Sequence, residues 1–102
     1  MILTGKASKD FIKWLHFKHN LQPYNLFNEI IQYALIIEWF DSIGIYISIN
    51  YIDFYDELRN NTGFETYVTN KGLSVKFRSV SSRQEAIKQA IEKANEIYNN
   101  KN

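Results

Sequence analysis

Between Phe40 and Ile45 the apolar residues change period. Leu26, Phe27, Ile30, Ile31, Tyr33, Ala34, Leu35, Ile37 and Phe40 recur at helical spacing, whereas Ile43, Ile45, Ile47, Ile49 and Tyr51 alternate with Gly44, Tyr46, Ser48, Asn50 and Ile52. A stripe of period 3.6 and a stripe of period 2 cannot belong to one element. The chain must therefore pass from helix to strand here, with Gly44 closing the helix. That helix starts at Pro23, whose missing N–H costs nothing in a first turn, and runs to Ser42. A shorter helix precedes it, capped by Ser8 and ending near Asn20, with Phe11, Ile12, Trp14, Leu15 and Phe17 as its apolar arc.

After the alternating strand, the polar run from Asp53 to Gly63 reads as a loop. Phe64 to Thr69 and Leu73 to Val80 then read as two short strands, joined by a three-residue connection at Asn70, Lys71 and Gly72. Phe64, Thr66, Val68, Leu73, Val75 and Phe77 would face inward. Ser82 followed by Glu85 is a capping-box signature, and Ile87, Ala90, Ile91, Ala94, Ile97 and Tyr98 give the last helix one apolar stripe. The order is ααβββα, an α+β fold: a three-stranded antiparallel meander with the helices packed on one face. One globular domain, residues 1–102, accommodates all of it.

Composition removes several classes. Seven Phe, seven Tyr and two Trp carry too much apolar area for a disordered chain. The absence of Cys excludes a disulfide framework, a thiol nucleophile and a zinc-thiolate site, and fits a reducing compartment. The first residues lack a continuous apolar stretch, so no secretory signal is expected and the location is expected to be cytoplasmic. The most apolar run, Ile30 to Phe40, holds Gln32 and Glu38 and is far short of the roughly 20 residues that cross a bilayer, so no membrane association is expected. Ile, Asn, Lys, Phe and Tyr are abundant at the expense of Gly, Ala, Arg and Pro, the bias of AT-rich coding DNA.

The stretches Glu38 to Tyr46, EWFDSIGIY, and Gln84 to Asn99, QEAIKQAIEKANEIYN, resemble a group of small uncharacterised proteins of gut Bacteroides-type bacteria and their phages. The resemblance is strongest over residues 24–52 and 82–100, is weak in the first helix and the loop, and rests on structural junctions. It implies a bacterial or phage cell and no catalytic residue.

No phosphate-binding loop, dinucleotide fingerprint, nucleophile elbow or zinc-protease motif is present. His16 and His19 share a helix, but a zinc site needs three or four ligands and their neighbours offer none. Asp53, Asp56, Glu57, Asn60 and Asn61 supply oxygen ligands without the spacing of a calcium loop. They are also the only close acidic pairs, and nothing marks a cleft that would tune them for acid–base work. The expectation is a protein that is not an enzyme and needs no cofactor or metal.

Two binding readings remain. On the second helix the polar face of Asn25, Asn28, Glu29 and Gln32 continues as Ile36, Trp39 and Ile43. Either the first helix covers these three residues, or they form an apolar patch for a protein partner, a symmetric homodimer being the simplest case. An unpaired outer strand edge could also recruit a partner strand. The alternative is nucleic-acid binding. The net charge of +1 resolves by position into four Lys against one Asp in residues 1–20, one Arg against seven acids in 21–66, and seven Lys and Arg against three Glu in 67–102. The outer sheet face would carry Tyr46, Tyr67, Lys76 and Arg78, with Lys71 and Arg83 placed for phosphates.

Overall fold

The computed structural model describes residues 2–20, 28–56, 59–79 and 82–101. The elements are α1 (Gly5–Trp14), a π-helical turn Leu15–His19 that prolongs it, α2 (Glu29–Ser42), β1 (Ile45–Asp56), β2 (Arg59–Asn70), β3 (Leu73–Ser79) and α3 (Arg83–Asn99). The strands form one antiparallel sheet in the order β1-β2-β3. This is the expected ααβββα arrangement.

Each helix begins where a polar side chain serves its free amides. Ser82 Oγ accepts from the Glu85 N–H at 3.1 Å, as the sequence suggests. Asn28 does the same for α2, taking the Ile31 N–H at 2.9 Å at the start of Glu29–Ser42; the expected start, Pro23, lies outside the described residues. The start of α1 is unlike both. It lies at Gly5, ahead of the expected cap Ser8, and Thr4 makes no side-chain cap to it. Its amides are served instead by α3. Asn99 Oδ1 accepts from the Ala7 N–H at 2.8 Å while Asn99 Nδ2 donates to the Thr4 carbonyl at 2.9 Å. One turn earlier, Asn95 accepts from the Thr4 N–H at 2.9 Å and donates to Thr4 Oγ1 at 3.0 Å. Gly5 makes this close approach workable: its φ is +61°, and a Cβ there would meet Asn99 Nδ2 at 3.1 Å.

The π turn ends at Asn20, whose φ of 51° is left-handed and whose N–H donates to the His16 carbonyl. Asn tolerates that conformation better than most residues. Gly44, at φ +85°, turns the chain from α2 into β1 as expected.

In the sheet, Ile47 opposes Val68 and Val68 opposes Val75, while Ile49 opposes Thr66 and Thr66 opposes Phe77. Directly opposed residues share a face, so these positions form the side covered by the helices. Ile45, Val68 and Thr66 are fully buried there, beneath Phe11, Leu15, Ile36, Phe40 and Ile91. On α3 the buried stripe is mostly small, with Ala86, Ala90 and Ala94 beside Ile91, which lets the helix lie close to the strands. Leu73 was expected inward but is 77% exposed, because it sits at the open end of β3 beside the turn.

Two connections differ from expectation. The turn between β2 and β3 has two residues, not three: Asn70 pairs with Leu73, leaving Lys71 at φ +52° and Gly72 at φ +80°. Two successive positive φ angles define the type I′ turn that matches strand twist. The segment read as a loop, 53–63, is strand on both sides. β1 continues to Asp56 and β2 begins at Arg59, with Asp53 opposite Thr62 and Tyr55 opposite Asn60. Pairing with β3 reaches only Phe64, so the β1–β2 ribbon runs on past it. A twelve-residue strand spans about 40 Å, and the molecule is accordingly 52 Å long, with a radius of gyration of 15.0 Å against about 13 Å for a compact chain of this length.

Two stability measurements check this account. Asn99→Ala leaves the Ala7 amide unserved and the Thr4 carbonyl with only the Ser8 N–H at 3.3 Å, and is expected to lower the unfolding free energy by about 1–2 kcal/mol in denaturant titration. Thr66 Oγ1 has no hydrogen-bond partner among the described residues although the residue is fully buried. Thr66→Val, nearly the same shape without the stranded hydroxyl, is expected to raise stability by about 1 kcal/mol.

Candidate functional site

The proposed helix patch is not a surface. Ile36 is fully buried, Trp39 is 2% exposed and Ile43 is half-buried against the core. The reason is α1. Phe11 meets Trp39 edge-on at 5.8 Å between ring centroids, and Tyr98 of α3 meets the same indole at 5.0 Å. Phe40 stands 4.8 Å from it on α2 itself. Trp39 is thus the point where three helices meet, and the first of the two arrangements left open by the sequence is the one that occurs.

The outer sheet face is where the sequence places it, with Tyr46, Ser48 and Asn50 exposed. Its centre, however, is a carboxylate. Glu65 is 7% exposed, accepts a short hydrogen bond from the Tyr67 hydroxyl, and pairs with Lys76 Nζ at 3.3 Å. The same ammonium lies 5.9 Å from the Tyr67 ring. Donation to Glu65, helped by desolvation, pushes the Tyr67 phenol above its ordinary range. Lys76 and Tyr67 are therefore committed to a negative charge on their own face, which works against a phosphate backbone. Lys71 is exposed in the β2–β3 turn, away from this cluster. Arg83 lies at the start of α3 with its guanidinium 5.0 Å from the Phe64 ring. The Arg78 side chain lies outside the described residues. Among the described side chains, these positions are not gathered into one basic surface.

Candidate chemistry is similarly dispersed. His16 is exposed, while His19 packs edge-on against Trp14 at 4.9 Å and places Nε2 at 3.3 Å from Glu38 Oε1. The described residues contain no group of three or more metal-ligating side chains. Of the calcium-loop candidates, Asp53, Asp56, Asn60 and Asn61 are strand residues, and Glu57 lies outside the described residues. Tyr98 donates to Asp10 Oδ2 at 2.5 Å, with Lys6 Nζ at 3.4 Å from the same oxygen. The Tyr98 bond, opposed in part by desolvation, lowers the Asp10 carboxyl below its usual value. Burial, followed by that bond, pushes the Tyr98 phenol up to about 12. The pair ties α1 to α3. An apolar groove of about 310 Å³ lies between α2 and α3, walled by Ile30, Tyr33, Ala34, Ile37 and Ile87. No helix among the described residues is long and apolar enough to cross a membrane.

The feature that stands out is an edge. Among the described residues β1 pairs only with β2, so its other side, Ile45 to Asp56, presents free backbone donors and acceptors. Native sheets blunt such edges with Lys, Pro, bulges or short length. β1 has none of these: it is twelve residues long, contains no Pro, Lys or Arg, and keeps an unbroken register with β2. The opposite edge, β3, has seven residues and carries Lys76 and Arg78. The signal was present in the sequence as the longest Ile-rich alternation. What sequence could not supply was which strand lies at the edge.

Comparison with family models, with characterised proteins and with solved structures finds no match to this chain.

The Asp10–Tyr98 pair has a measurable consequence. A phenol whose folded pKa is raised contributes stability that is whole below its unfolded pKa of 10.0 and is lost as pH climbs toward about 12. Stability is expected to fall over that interval, and Tyr98→Phe to flatten the decline in unfolding measured at pH 9 to 12.

Proposed function

We propose that this chain is a non-enzymatic protein-interaction module that receives a partner strand on the outer edge of β1. The observation that carries this is the contrast between the two sheet edges: β3 is short and carries two cations, and β1 is long, β-branched and without a charged residue from Ile45 to Ile52. An open edge offers a ladder of main-chain hydrogen bonds as affinity and alternate side chains as selectivity. The residues at hand are Ile45, Ile47, Ile49 and Tyr51 toward the helices, with Tyr46, Ser48 and Asn50 on the other side. A bacterial or phage setting rests on the resemblance of residues 24–52 and 82–100 alone.

Exchange of backbone amides tests whether the edge is free. In a dilute sample, alternate amides of Ile45 to Tyr51 point toward β2 and the rest point outward. The expected result is an alternating pattern, the outward set exchanging at least about tenfold faster than the amides of Val68 and Tyr67 in the central strand. Uniform protection along Ile45 to Tyr51 in the monomer would mean that the chain covers this edge itself, and the reading fails.

A further inference from the structure

We infer that the strand received by β1 is β1 of a second copy of this chain, paired antiparallel about a two-fold axis at Ser48. The inference rests on the reading of β1 as a docking edge and adds the identity of the partner and the register.

A two-fold contact between like strands is antiparallel, and each residue then opposes the one at the same distance beyond the axis. With Ser48 opposite itself, Ile47 faces Ile49 of the second copy, Ile45 faces Tyr51, and Tyr46 faces Asn50. The apolar pairs lie on the helix side and the polar pair on the other, because the pairing preserves the alternation of the strand. The two sheets become one sheet of six strands with all helices on the same face. Ile47 and Ile49, half-buried in the single chain, and Tyr51, 56% exposed, gain apolar neighbours. Ser48 and Asn50, both exposed, put small polar groups where the copies come closest.

Other registers fit less well. An axis at Ile47 leaves a shorter ladder, because β1 begins at Ile45. An axis at Ile49 brings Asp53 opposite Ile45, and an axis at Asn50 brings it opposite Ile47, placing a carboxylate within an apolar row. Ser48 is the centre of the longest two-fold ladder within β1 that contains no charge. That neutrality is also the argument for a second copy over a foreign strand. Residues 45–51 carry no charge with which to select an oppositely charged partner, while their pattern of apolar and polar positions is complementary to itself.

The chain has no Cys, so a single introduced thiol reports on register without background. Ser48→Cys is expected to form a covalent dimer under mild oxidation, since opposed strand residues lie within the roughly 4.4–6.8 Å between Cα atoms that a disulfide spans. Tyr46→Cys alone and Asn50→Cys alone are expected not to, because each residue then lies four positions from its own copy, about 13 Å along the strand. The two mixed together are expected to cross-link. In sedimentation, the unmodified protein is expected to show a mass that rises toward the dimer with concentration. Ser48→Lys and Ser48→Asp, at an exposed position that folding tolerates, are each expected to be monomeric when alone and to dimerise when mixed. Unmodified protein that remains monomeric up to millimolar concentration, with the outward amides of β1 still exchanging fast, overturns the second copy and leaves the docking edge standing. A monomer with those amides protected overturns both. A dimer that cross-links through Tyr46→Cys alone, or that survives Ser48→Lys, overturns the register.

Discussion

Two asparagines one turn apart on α3 hold the beginning of the chain. Asn95 and Asn99 serve the Thr4 amide, the Thr4 carbonyl and the Ala7 amide, groups more than ninety residues away in sequence. A helix end without partners costs free energy, and here the remedy comes from another helix, so capping and tertiary docking are one event. Once α1 is fixed against α3, Phe11 is brought to Trp39 and Asp10 to Tyr98. The end of α2, which by itself carries apolar residues on nearly every side, is thereby enclosed. Gly5 is part of the same device, since its positive φ and missing side chain let Asn99 come close.

With Trp39 enclosed, the sheet becomes the next surface to weigh. Its inner face is covered. Its outer face is centred on Glu65, whose burial is tolerable only because Tyr67 and Lys76 answer it. On that face the described cation, Lys76, is already paired with a carboxylate. The edges remain, and they are unequal. Lys76 and Arg78 on short β3 are the devices by which sheets resist indiscriminate pairing, whereas β1 is long and confines its charges, Asp53 and Asp56, to its second half. A strand of this length and composition left open in solution is a template for pairing with another strand.

Much of the fold is legible in the order of residues. The change of period at Ile43, the stop at Gly44 and the Ser82 cap act within a few residues, and each is where local chemistry places it. The departures have long-range causes. Residues 53–63 are rich in Asp and Asn, which read as loop, yet the ladder with the opposite strand continues through Asp53 and Thr62, because strand preference depends more on pairing than on composition. α2 begins at Glu29, where Asn28 takes the Ile31 amide, and Pro23 lies outside the described residues. Leu73 has the alternation of an inward residue, but beside the turn at the start of β3 it is left 77% exposed.

The sequence by itself determined the helix-to-strand switch, the α+β order and the alternation that separates the two faces of each strand, because these follow from periods and caps that span a few residues. Only the tertiary structure decided which apolar residues are core and which strand is exposed. Trp39 became interior where Phe11 of α1 and Tyr98 of α3 meet it, beside buried Ile36 and half-buried Ile43, and β1 became an edge because the sheet stops there. Burial and edge position are properties of the assembled neighbours, and no residue carries them alone.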